Sequence, residues 1–223
     1  MADKHNQARC SAFKSAEAVV LIHGLWMPAL VMAVLAWRLR RAGWATFRFS
    51  YSSRHTKLRE NAVALAAFVQ GIDVPRVHFV AHSLGGLLLM QLFQDHPGQR
   101  PGRVILLGTP YRGSYVARRL SRLAWGRWLC GLSLDKALLG DGPRWTGARE
   151  LGVIAGTLPM GAGWIVPGLT KPNDGTVAVA ETEVEARTDA ITLPVTHSGL
   201  VLSAAVACQV VHFLNTGRFQ HLA

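Results

Sequence analysis

At 223 residues, half of them hydrophobic and 17% charged, the chain makes one domain, or one domain with an insertion, around a single large core. The formal charge of +11 is uneven, with 21 Lys/Arg against 7 Asp/Glu over residues 1–149 and 3 against 6 over 150–223. The basic residues are scattered and no nucleic-acid-binding motif accompanies them, so a solvated surface is expected and a nucleic-acid partner is not.

Cys10, Cys130 and Cys208 are far apart and odd in number, which excludes a disulfide framework and a cysteine metal spacing; no metal is expected. The longest apolar runs contain Gly, Pro or charges within the ~20 residues that a membrane span needs. Residues 1–16 are polar and predict a loose arm, and 1–18 hold no signal-peptide core, so a soluble cytoplasmic protein is expected.

Ala18-Val19-Val20-Leu21-Ile22 is a continuous apolar run, the mark of a strand buried on both faces, and it leads into His23-Gly24-Leu25-Trp26. Pro28 suits a helix start, the helix runs over 29–41, and Gly43 ends it. Thr46, Phe47 and Phe49 predict a strand over 45–51. Leu58, Ala62, Leu65, Ala66 and Val69 recur at helical spacing within 57–71, and Gly71 stops that helix. Residues 77–81 form the next strand, the helix after it reaches about His96-Pro97, and 103–108 form a fourth strand. The order βαβαβαβ with short connections predicts a mostly parallel sheet with helices on both faces.

The alternation breaks over 111–149, where Trp125, Trp128 and Trp145 lie among Arg112, Arg118, Arg119, Arg122 and Arg127. Residues 114–133 fit one or two amphipathic helices. A long insertion after a strand end is expected to be functional, here a cap or lid on a single domain spanning 1–223. A plain helical crossover and a transient membrane-surface contact are the other readings. Strands resume at 151–156 and 190–193, with a short strand or helix start at 176–180 and a closing helix over 200–214.

The centre of the pattern is Ala81-His82-Ser83-Leu84-Gly85-Gly86, a serine between a buried strand and a Gly-Gly helix start. This fits a nucleophile elbow, in which a sharp turn holds the hydroxyl above the sheet and the helix start offers N–H groups to an oxyanion. Ser83, Asp174 and His197 follow in the order Ser…Asp…His, each past the C-terminal end of a predicted strand. His197 can take the Ser83 proton, and Asp174 can hold the imidazole. Asp189, Glu181 and Glu183 are rival acids, with Asp189 ahead of its strand at the opposite edge. The N–H groups of Leu84 and Leu25 are the candidate oxyanion donors. His23, Gly24, Trp26, His82 and Tyr111 are expected around the substrate pocket.

His23-Gly24-Leu25-Trp26, the elbow, Gly108-Thr109-Pro110-Tyr111-Arg112-Gly113-Ser114, Asn173-Asp174-Gly175 and Thr196-His197-Ser198-Gly199 together resemble an α/β-hydrolase of the bacterial lipase/esterase type, over about 18–214. The resemblance implies an eight-stranded or slightly truncated sheet, no cofactor, and an acyl-enzyme formed from a small-molecule ester or lipid. A thioesterase, amidase or acyltransferase would use the same groups, and a non-catalytic lipid-binding member the same fold. Two positions depart from the family pattern: Ala81 replaces the first elbow glycine, and Tyr111 stands where many relatives have histidine.

Overall fold

The computed structural model describes residues 16–123, 137–145, 149–161 and 168–221. Six strands form one sheet: β1 (Glu17–Ile22), β2 (Ala45–Phe49), β3 (Arg76–His82), β4 (Val104–Leu107), β5 (Leu151–Gly156) and β6 (Asp189–Leu193). They lie in the order β2-β1-β3-β4-β5-β6, and every pairing is parallel. Among the described residues the sheet is thus the truncated version of the two expected.

The apolar strands are buried on both faces, which is why they read as continuous runs rather than alternations. Val19, Leu21 and Val80 face α1 (Ala33–Arg41) and the closing helices. Ala18, Val20, Phe79 and Ala81 face α2 (Leu58–Gln70) and α3 (Leu84–Asp95). Each fully buried aliphatic or aromatic side chain contributes about 1.5–3 kcal/mol. Leu88, wholly buried on α3, would leave a cavity costing about 2–5 kcal/mol if cut to alanine.

Of the two readings of 176–180 the structure gives the helix start, a 3-10 turn over Val179–Thr182, with a single antiparallel bridge between Asn173 and Ala178 before it; two other details differ from expectation. The closing helix is two helices, α5 (Gly199–Leu202) and α6 (Ala204–Thr216), because Ser203 turns extended at ψ 137 and its hydroxyl caps α6. Of the helices expected over 114–133, the structure gives α4 (Tyr115–Ser121), and 124–136 lie outside the described residues, as does nearly all of the 1–16 arm. Among the described residues no helix is long and apolar enough to cross a membrane.

The strand order reverses between β1 and β3. That switch point is where parallel α/β sheets open a crevice at the carboxyl ends of their strands. Two segments singled out in the sequence, His23 to Trp26 after β1 and Ser83 after β3, therefore lie side by side.

Candidate active site

Ser83 sits at the turn from β3 into α3 with φ 53 and ψ −123, a left-handed strain for a residue with a side chain. The turn is tight because the neighbouring backbones crowd it. A Cβ on Gly85 would stand 2.5 Å from the His23 carbonyl oxygen, and one on Gly86 2.0 Å from Thr109 Oγ1. Both positions therefore demand glycine. Ala81, by contrast, is buried in the core beside α2 and α3, where its methyl group has room.

Asp174 is buried in the loop that follows β5. Its Oδ1 accepts N–H bonds from Thr176 (2.9 Å) and Val177 (2.7 Å). Its Oδ2 stands 2.7 Å from His197 Nδ1, and the His197 N–H donates to the Asp174 carbonyl at 2.9 Å. A proton on Nδ1 is what a carboxylate selects, so the Nε2 lone pair is left to act as acceptor. This pair lies over the end of β4, where a Cβ on Gly108 would meet Asp174 Oδ2 at 3.1 Å and His197 Nδ1 at 3.2 Å. The rival acids are engaged elsewhere. Asp189 holds His221 at 3.0 Å, and Glu183 pairs with Arg112 at 3.0 Å. Glu181, its pKa raised by burial, accepts from the N–H groups of Ala178 and Tyr115 and so ties the start of α4 to the Asp174 loop.

His82 is wholly buried, its ring 4.6 Å from that of His197. Its Nε2 donates to the His197 carbonyl at 3.0 Å, which leaves Nδ1 as a buried acceptor without a partner among the described residues. Burial, and then the neighbouring His197, holds the His82 pKa well below 6.5, so the ring is neutral.

A cavity of about 340 Å³ opens on Ser83 and His197. Leu25, Trp26, His82 and Leu84 line it, with Val116, Leu120 and Leu138 from the 111–149 segment on the wall. Among the described residues the amides of Leu25 and Leu84 donate to no protein group, and Ser83 Oγ makes no hydrogen bond. Two unused N–H donors beside a serine are what an oxyanion requires.

Among the described residues, His23, Gly24 and Tyr111 are not part of the cavity lining. His23 is stacked on Tyr51 at 4.4 Å; its Nδ1 donates to the Gly24 carbonyl (2.9 Å) and Tyr51 Oη donates to the His23 carbonyl (2.9 Å). It shapes the loop from behind. Gly24 is needed for close approach, since a Cβ there would lie 3.0 Å from both His82 Nδ1 and Ser83 Cβ. Tyr111 turns toward Trp145, whose N–H it accepts at 2.8 Å.

Sequence reasoning missed Tyr51 and Ser53, which brace the His23–Trp26 loop; Ser53 Oγ accepts the Trp26 N–H at 3.2 Å. These contacts span 28 and 27 residues, so no local signal marks them. The apolar face of α4 was readable from the spacing of Val116, Ala117 and Leu120. Among the described residues no three His, Cys, Asp or Glu side chains converge as a metal site would need.

A model of the Alpha/beta hydrolase family matches residues 19–214. Among solved structures, the Bacillus licheniformis lipase BlEst2 in mature form superimposes with a TM-score of 0.72 at 20% identity, over 92% of this chain and 93% of that one. The metagenomic carboxyl esterase MGS0156 gives 0.68 at 18% identity, over 82% and 65%. The NocB thioesterase domain from the nocardicin cluster gives 0.58 at 18% identity, over 90% and 94%. No curated protein matches the sequence.

Proposed function

The chain belongs to the alpha/beta hydrolase family, and on that premise we propose that it is a serine hydrolase cleaving carboxylic esters through an acyl-enzyme on Ser83. The observation that carries the reading is the 2.7 Å contact of Asp174 with His197, at a cavity that His197 shares with the strained Ser83.

On substrate binding, Ser83 Oγ closes to hydrogen-bond distance of His197 Nε2, about 2.6–3.2 Å. Nε2 takes the hydroxyl proton as Oγ adds to the ester carbonyl. The oxyanion lies against the N–H groups of Leu25 and Leu84. Asp174 stabilises the imidazolium without taking its proton. The tetrahedral intermediate collapses, His197 protonates the departing alcohol, and Ser83 keeps the acyl group. A water then gives a proton to His197 as its oxygen adds to the acyl carbonyl, and His197 returns that proton to Ser83 Oγ as the Oγ–acyl bond breaks and the acid leaves. The chemistry calls for no cofactor. In this reading the 111–149 segment is a cap of the single domain, and its Val116, Leu120 and Leu138 give the acyl chain an apolar wall. His82 is a positioning residue in this reading: it holds the His197 backbone through the His197 carbonyl.

A panel of p-nitrophenyl esters of increasing chain length, with matched thioesters and anilides, tests the bond and the chain. Esters are expected to react fastest, with an optimum chain length set by the apolar wall. The second reading, thioester hydrolysis, draws on the fold shared with the NocB thioesterase domain. A thioester kcat/KM above that of the ester with the same acyl group would select it.

A further inference from the structure

The helical layer formed by α1, α5 and α6 is unlike the rest of the surface. The sequence has no Asp or Glu from 18 to 59 and none after Asp189, and these two stretches supply all three helices. The last turn of α1 carries Arg38, Arg40 and Arg41. On the outer side of the same helix and of the 3-10 turn before it (Ala29–Met32), Leu30 is 69% exposed, Val34 37% and Trp37 54%. The spacing, four residues and then three, puts them on one stripe. Leu202 of α5, also exposed, adjoins the stripe, since Arg38 donates to its carbonyl. The guanidinium of Arg41 lies 5.1 Å from the Trp37 ring. A groove of about 510 Å³ between α1 and α6 is lined by Trp37, Arg38, Arg41, Val211 and His212.

The stripe leads toward the catalytic cavity. Trp26 and Met27 line that cavity, Trp26 is 48% exposed, and Leu30 follows Met27 by three positions. Exposed aliphatic and indole groups rimmed by arginine make the pattern of a face that lies in a lipid headgroup layer: the apolar groups enter it and the guanidinium groups meet phosphate. Charge decides between the occupants. A second copy packed about a two-fold axis would set these arginines against themselves, with no carboxylate on either helix to offset them. An anionic bilayer offers the complementary charge.

We propose that the α1–α5 face docks on anionic phospholipid membranes, with Leu30, Val34 and Trp37 as the inserted stripe and Arg38 and Arg41 as the phosphate contacts, bringing the mouth of the cavity to the lipid surface. The docking does not depend on hydrolysis, so it stands or falls separately from the catalytic reading.

The test is co-sedimentation of full-length Ser83→Ala protein with vesicles of phosphatidylcholine alone and of phosphatidylcholine containing phosphatidylglycerol. Binding is expected to the second and to be much weaker to the first. Each arginine near an anionic surface is worth roughly fivefold in affinity, so Arg38→Gln/Arg41→Gln should lower binding about 25-fold. Val34→Ser/Trp37→Ser should lower it as well, including at high salt, where charge no longer contributes. In a Ser83 background both pairs should keep wild-type Tm and wild-type hydrolysis of a soluble short-chain ester. Equal binding to both vesicle types, no binding to either, or binding that survives both pairs of substitutions overturns the proposal. So does concentration-dependent dimerisation lost in Trp37→Ser, which would give the face to a second copy. Vesicle binding by a protein that hydrolyses no ester would leave the docking in place and remove the catalytic reading instead.

Discussion

β3 carries a buried histidine near each end, and the two are treated differently. At the amino end, His78 Nε2 donates to Glu17 at 3.1 Å, and its Nδ1 accepts the Arg103 N–H at 3.0 Å. Every polar atom of the ring is used. At the carboxyl end, His82 has one nitrogen bonded and the other buried without a partner among the described residues. The two edges of the sheet also differ in charge and in backbone strain, although each has a buried hydroxyl without a partner among the described residues, Thr46 Oγ1 at the start of β2 and Thr109 Oγ1 after β4. The amino edge carries two ion pairs, Glu17 with Arg76 at 3.5 Å and Arg103 with Glu150 at 2.6 Å, and a hydrogen bond between Asp189 and His221 at 3.0 Å. The carboxyl edge holds Ser83 and Trp26 at positive φ. Buried polar groups in a native fold are normally satisfied, and strain collects where chemistry is done. One edge stabilises the sheet, and the other spends stability on the geometry that the proposed reaction uses.

The largest effect that would sharpen this contrast is at Asp174. Asp174→Asn keeps the shape but no longer selects the His197 tautomer, so kcat for the preferred ester should fall about 10⁴-fold with little change in Tm. A loss under tenfold would place the acid elsewhere. The two histidines then give a matched pair. His78→Ala strips partners from Glu17 and the Arg103 N–H and should cost about 3 kcal/mol of stability in urea unfolding, with kcat unchanged. His82→Ala loosens the His197 backbone; it should lower kcat about tenfold at nearly constant KM, and His82→Gln should recover part of the loss. If both variants changed only stability, the two ends of β3 would be alike and the contrast would fail.

The pH dependence follows from burial. His23, His78 and His82 all have pKa values lowered from 6.5, chiefly by loss of solvent. The unfolded chain therefore binds more protons than the native one just below pH 6.5. Stability is full above that pH and is lost as pH falls below it, by up to about 1.4 kcal/mol per pH unit for each histidine. Urea unfolding on either side of pH 6.5 measures the slope, and His78→Gln should make it shallower. The smallest effect concerns strain. Ser83→Gly frees φ 53 of its side-chain penalty of about 1–3 kcal/mol, against about 1 kcal/mol for glycine's added freedom in the unfolded chain. Its Tm should equal or exceed that of the wild type, and a clearly lower Tm would mean that the elbow is unstrained.

Much of the carboxyl edge was legible because it is built from local signals. A strand, a serine and two glycines announce the elbow, and chain order with strand-end positions led to Asp174 and His197, which the structure brings to 2.7 Å. What was not legible depends on contacts far apart in sequence. Nothing near His23 says that Tyr51 will stack on it, and nothing near Tyr111 says that Trp145 will draw it away from the cavity. The α5–α6 break hid inside an unbroken apolar pattern, although Ser203 is a recognisable cap once its turn is seen. The 176–180 segment has strand-forming residues, but its N–H groups go to Asp174 and Glu181 rather than to a neighbouring strand. Tertiary demand outweighed propensity there.

The proposed hydrolysis requires Ser83 to be an activated nucleophile. Intact-mass labelling with a fluorophosphonate probe, run on the wild type and on Ser83→Ala, tests it most directly. One adduct per chain is expected on the wild type, mapped to Ser83 by peptide sequencing, and none on the variant. No adduct on folded wild-type protein, or an adduct that persists in Ser83→Ala, would contradict it.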